Sequence, residues 1–132
     1  MHRLILSFIF SFILGVSQQL FAQDNYQQWV FDITNRLNNT EQLIKENKID
    51  DAKTEVQMAY FEVFENLEGP IRINFSAQKS YQMEATFGEI RKMIGEGKPM
   101  SEIQVKIEGL KKELQEVLPS LIEGHQLNAD GQ

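Results

Sequence analysis

No cysteine occurs anywhere in the 132 residues. That excludes disulfide staples, thiolate zinc sites, iron-sulfur clusters and haem attached through Cys-x-x-Cys-His. A domain without staples must hold itself by packing, which favours long helices over a loop-rich scaffold. Basic residues are also in deficit, 13 Lys and Arg against 19 Asp and Glu, for a net charge of −6. Nucleic acid is thereby disfavoured as a partner, because phosphate neutralisation needs basic patches. The acid excess points to cations, held by oxygen, imidazole or thioether. No nucleophile and base stand in a catalytic pattern, so a non-enzymatic role is expected.

Apolar runs long enough to cross a bilayer are missing as well. Leu4 to Val16 is the longest, and it falls short of the ~20 residues a spanning helix requires. Preceded by His2 and Arg3 and followed by Leu20-Phe21-Ala22, it reads as a secretory signal peptide over residues 1–22, cut after Ala22. The remainder, 23–132, is the size of one domain. It is expected to work in the periplasm, and losing Arg3 makes it slightly more acidic still.

Apolar spacing then predicts four amphipathic helices. The first, Asp24 to Lys48, carries Tyr26, Trp29, Val30, Ile33, Leu37 and Ile44 on one face and stops at Asn47-Lys48. Asp50 or Asp51 is the expected cap of the second, which runs to Glu68 with Ala52, Val56, Ala59, Val63 and Leu67 as its core stripe. Gly69-Pro70 reads as the break, with Pro70 opening the third helix. Met83, Phe87, Ile90 and Ile94 line that helix, which ends at Gly95 before the loop Glu96 to Pro99. Ser101 and Gln104 form an expected capping box for the fourth, whose Ile103, Ile107, Leu110, Leu114 and Val117 face the core; Pro119 is expected to kink or restart it. Short connections between such helices predict an up-and-down antiparallel four-helix bundle.

Two stripes do not belong to the core. Met58, Phe61, Glu65 and Glu68 lie roughly opposite the apolar stripe of the second helix at α-helical spacing. Glu65 and Glu68, one turn apart, can converge on a cation, although an acidic pair at that spacing is more often solvated surface. Arg72 is the internal alternative, an ion-pair partner for Glu68. On the third helix Tyr81, Glu84, Gly88 and Arg91 share a face, the small residue leaving room for an approaching group. His125, the one histidine after the signal segment, is another candidate ligand with Glu123 nearby.

The segments Ala59 to Glu65, Glu68 to Asn74, Lys79-Ser80-Tyr81, Met83-Glu84, Phe87 to Arg91 and Glu116 to Pro119 carry a resemblance. Together they resemble the exported N-terminal domain that precedes the membrane part in bacterial members of the high-affinity iron permease family. The resemblance implies a periplasmic helical domain that receives or relays iron, working with an inner-membrane permease or a separate periplasmic metal-binding protein. The permease motif Arg-Glu-x-x-Glu is not present; Glu65-Asn66-Leu67-Glu68 matches its second half alone, so transport itself is not implied.

On this reading Glu65, Glu68, Glu84 and Tyr81 are the expected oxygen ligands of ferrous or ferric iron. Met58 and His125 would widen the site toward ferrous iron or copper, and Arg72 and Arg91 would hold the carboxylates. The contrasting expectation is a metal-free interaction module, docking through Met58, Phe61 and Glu65 on a permease, a periplasmic partner or a second copy of the chain.

Overall fold

The computed structural model of the chain describes residues 25–130, with side chains through Gly124; the expected signal peptide, 1–22, lies outside the described residues. Helix α1 covers 25–45. Helix α2, Ile49–Met58, runs without a break through a π-helical turn, Ala59–Phe64, into α3, Glu65–Asn74; α4 is Ala77–Gly95 and α5 is Met100–Asp130. The α2–π–α3 unit is one rod, so the described chain is a bundle of four, with no strand. Among the described residues no helix is long and apolar enough to cross a membrane.

Cross-rod contacts fix the directions. Lys111 reaches Asn38 and Gln104 reaches Glu41, so α1 and α5 run opposite ways. Lys79 pairs with Glu113 and Glu116 while Lys106 pairs with Glu89, which sets α4 against α5 in the same manner. Tyr60 meets Glu84, and Ser80 donates to the Glu68 carbonyl, completing the up-and-down order. The expected core stripes are buried: Val30, Ile33 and Leu37; Ala52, Val56, Ala59, Val63 and Leu67; Met83, Phe87, Ile90 and Ile94; Ile103, Ile107, Leu110, Leu114 and Val117. Tyr26, Trp29 and Ile44 pack against this core from its edge.

Two turns are built alike. Asn47 adopts φ 60° and Gly97 φ 67°. In each case the next residue's N–H reaches back to the carbonyl five positions earlier, Lys48 to Leu43 at 2.8 Å and Lys98 to Met93 at 3.0 Å. This is the Schellman stop, which needs a left-handed residue just past the helix.

The breaks and caps differ from expectation in four places. The second rod does not end at Gly69-Pro70 but continues to Asn74, with Pro70 inside the helix. Leu67 and Ile71 are fully buried on either side of the proline. Their packing holds the backbone helical against an interior-proline cost of about 3 kcal/mol. The real break is Phe75-Ser76, where Ser76 turns extended and its Oγ accepts the Lys79 N–H at 3.0 Å, capping α4. Ser101 does not cap α5: the Pro99 carbonyl accepts the Glu102 and Ile103 N–H groups, and Gln104 extends across to Glu41. Likewise Lys48 occupies the position before α2, and Asp50 and Asp51 sit in its first turn, where their charge favours the helix dipole. Finally, Pro119 neither ends nor restarts α5, which runs through it.

Two glycine substitutions should move stability in opposite directions. A Cβ at Gly109 meets nothing within 4 Å. Gly109→Ala should therefore stabilise by about 0.5–1 kcal/mol through helix propensity. At Gly97 the positive φ opposes any side chain. Gly97→Ala should cost about 1–2 kcal/mol. Urea midpoints compared with the parent protein would check both signs.

Candidate functional site

The π-helical turn decides which side chains meet. At about 100° per residue, Tyr60 and Glu68 would point some 80° apart on an uninterrupted α-helix. One inserted residue turns everything beyond it back by about 100°, which brings the two within roughly 20° of each other. The backbone records the insertion: the Glu65 N–H bonds to the Tyr60 carbonyl, five positions back. Asn66 repairs the loosened ladder from its side chain, donating to the Glu62 carbonyl at 3.2 Å and the Val63 carbonyl at 3.1 Å. Arg36 of α1 braces the outside, reaching Glu62 at 2.6 Å and Glu55 at 3.6 Å.

Tyr60 is the hub. Its hydroxyl lies 2.7 Å from Glu68 Oε1 and 3.2 Å from Glu84 Oε1. A phenol has one proton, and ionised carboxylates only accept. Three oxygens from two rods thus converge around a single hydrogen. The shorter contact takes it as a charge-assisted bond, and the longer one is left facing a lone pair. Burial of the phenol, with the hydrogen bond to Glu68 next in weight and the charges of Glu68 and Glu84 adding to it, pushes the Tyr60 pKa well above the ordinary tyrosine range.

The ring of Tyr60 stands in an aromatic cluster. Its centroid is 5.0 Å from that of Phe61, 5.9 Å from Phe64 and 5.8 Å from Phe87, and Phe64 and Phe87 are 4.9 Å apart. Beside it opens a cleft of about 310 Å³ between the π turn and α4. Val56, Phe61, Tyr60 and Phe87 are its apolar walls, Gly88 is on its floor, and Gln57, Glu84 and Arg91 supply its polar atoms.

Of the expected ligands, Glu68 and Glu84 come together, and Arg91 shares a cleft with Glu84. The others stand apart. The Glu65 side chain is exposed and makes no hydrogen bond or ion pair among the described residues. Tyr81 is 58% exposed, and the Arg72 guanidinium lies 5.6 Å over its ring, so Arg72 is not the partner of Glu68. Met58 is half-buried and does not line the cleft, and the side chain of His125 lies outside the described residues. Among the described residues no three His, Asp or Glu side chains group as a metal-ligand set. The expected stripe of Met58, Phe61, Glu65 and Glu68 dissolves because the inserted residue rotates Glu65 and Glu68 together away from Met58 and Phe61.

Tyr60 is the residue that α-helical spacing missed. The signal was nonetheless present: Ala52-Val56-Ala59-Val63 and Phe64-Leu67-Ile71 are two regular core stripes out of phase, and Val63 and Phe64 are consecutive buried positions. A phase change within one helix requires an inserted residue. In comparisons with known proteins, no family model, curated protein or solved structure matches the chain.

Tyr60→Phe should lower stability by about 1 kcal/mol, since Glu68 loses its phenol donor. A raised folded-state pKa means that the stabilisation is complete below the unfolded tyrosine value, about 10, and is lost as pH rises above it. Lys79, whose pKa is raised chiefly by its hydrogen bond to Glu113, is lost over the same alkaline window. The readout is therefore the difference between parent and Tyr60→Phe in alkaline denaturation. It should narrow above pH ~10, and a constant difference would remove Tyr60 from the account.

Proposed function

We propose that this is a non-enzymatic helical domain that binds and delivers a cation, and that iron is the cargo, as the resemblance to the exported domain of iron permeases implies. The observation that carries the reading is the convergence of Glu68, Tyr60 and Glu84 on one point with a single proton among three oxygens. A cation there would replace the missing hydrogens and relieve the repulsion between two carboxylates. Carboxylate and phenol oxygens are hard donors, suited to ferric iron and acceptable to ferrous iron. Tyr60 thus takes the part first expected of Tyr81, Glu68 and Glu84 keep the parts expected of them, and Glu65 has none.

Delivery rather than storage fits the half-exposed position of these groups and the open cleft beside them. Three protein oxygens leave coordination positions for water or for an incoming donor, so the ion is exchangeable. The recipient would be an inner-membrane iron permease or a periplasmic metal-binding partner, with the domain exported to that compartment. Cuprous copper would need softer donors, which the cluster lacks.

Calorimetric titration of the protein with ferrous iron under anaerobic conditions, and with chelated ferric iron and copper, tests the reading. Ferrous or ferric iron should bind saturably, and Glu68→Gln/Glu84→Gln should weaken it at least about tenfold, or 1.4 kcal/mol, at unchanged helicity. Glu65→Gln should leave it unaltered. If the parent protein takes up no iron, or if Glu65→Gln does the damage instead, the assignment fails; the remaining reading would be a metal-free module docking through Phe61 and its neighbours.

A further inference from the structure

The cation reading uses one end of the cleft and leaves the other unexplained. Arg91 lines it and makes no hydrogen bond, ion pair or ring contact among the described residues. Surface carboxylates are plentiful in this acidic chain and Arg36 holds two of them, yet none among the described residues pairs with the Arg91 guanidinium. Glu84 lies two turns before Arg91 on the same helix, but its Oε1 is turned to Tyr60. The intervening wall is apolar, and its floor is empty. A Cβ added at Gly88 meets nothing within 4 Å, and Phe61, 51% exposed, presents its ring to the cleft and not to the core.

We propose that this cleft binds a small organic monocarboxylate, its single ring or short apolar chain lying over Gly88 between Phe61 and Phe87, its carboxylate on Arg91. The planar fork of a guanidinium matches a carboxylate with two parallel hydrogen bonds, and the Gln57 amide is a further donor on the same cleft. Charge sets the valence of the ligand. Glu84 in the cleft and the net charge of −6 repel a dianion such as phosphate, whereas one negative charge is matched by one free guanidinium. Size sets its bulk. About 310 Å³ is at the lower limit of the ~300–1,000 Å³ typical of small-molecule sites, which admits one ring and not a fused system. Apolar burial with one charged anchor is the usual composition of such a site.

Hydrocinnamate is a suitable probe, with its amide and acetate as controls. Titrations followed by backbone amide NMR in the presence of a chelator keep the protein free of metal. Failure here then leaves the cation reading intact, and failure of iron binding leaves this one intact. Hydrocinnamate should bind saturably and shift the amides of Gln57, Phe61 and Gly88. Hydrocinnamamide and acetate, lacking the charge and the ring respectively, should bind at least about tenfold more weakly. Arg91→Gln should reduce hydrocinnamate binding to the level of the amide, and Gly88→Leu, which fills the floor on an exposed helix face, should abolish it without loss of helicity. The proposal is overturned by the absence of saturable hydrocinnamate binding, by equal affinity for the amide, or by undiminished binding in Gly88→Leu.

Discussion

The register change at the centre of the second rod is the constraint on which the site depends. Val63 and Phe64 are adjacent in sequence and both buried. A uniform α-helix turns successive side chains about 100° apart, which would push one of them toward solvent. The π turn reconciles them with the core, at the cost of a loosened backbone ladder that Asn66 and Arg36 support from outside. Fully burying a side chain the size of Phe64 is worth about 1.5–3 kcal/mol. That gain, with the ring packing against Phe87, is the physical reason for the insertion to persist.

The same rotation has a second effect. It carries Glu68 from the outer face to a half-buried position under Tyr60, where the carboxylate must find donors. In a straight helix the acid would point some 80° away from Tyr60, and the tyrosine would lack this anionic partner on its own rod. The clustering of oxygens is therefore a consequence of how the core is packed. A single-residue deletion that restored α-helical phase, removing one of the two consecutive apolar positions, would dismantle the oxygen cluster without touching any residue in it.

Most of the bundle was legible in the sequence because its core stripes repeat at regular helical spacing, and burial rewards each repeat alike. The end of α4 at Gly95 was legible, although the left-handed residue that makes the stop is Gly97, two positions further on. Pro70 misled because propensity is a weak prior against buried neighbours on both sides. The site was half legible. Glu68, Glu84 and Arg91 were readable as polar residues sharing faces with small or apolar ones. Tyr60 was not, because its partnership with Glu68 exists only after the phase change. That change is visible as two stripes out of register, and a single-period wheel averages it away.

Tyr60 joins the two ends of this region through different atoms. Its hydroxyl belongs to the oxygen cluster, and its ring belongs to the wall of the cleft. Glu84 is shared in the same way. A group that entered the cleft would touch the ring whose hydroxyl orders the carboxylates, and a cation on the carboxylates would fix the ring that bounds the cleft. Two sites that hold one side chain in one orientation stabilise each other by reciprocal linkage, while two that need it in different orientations compete.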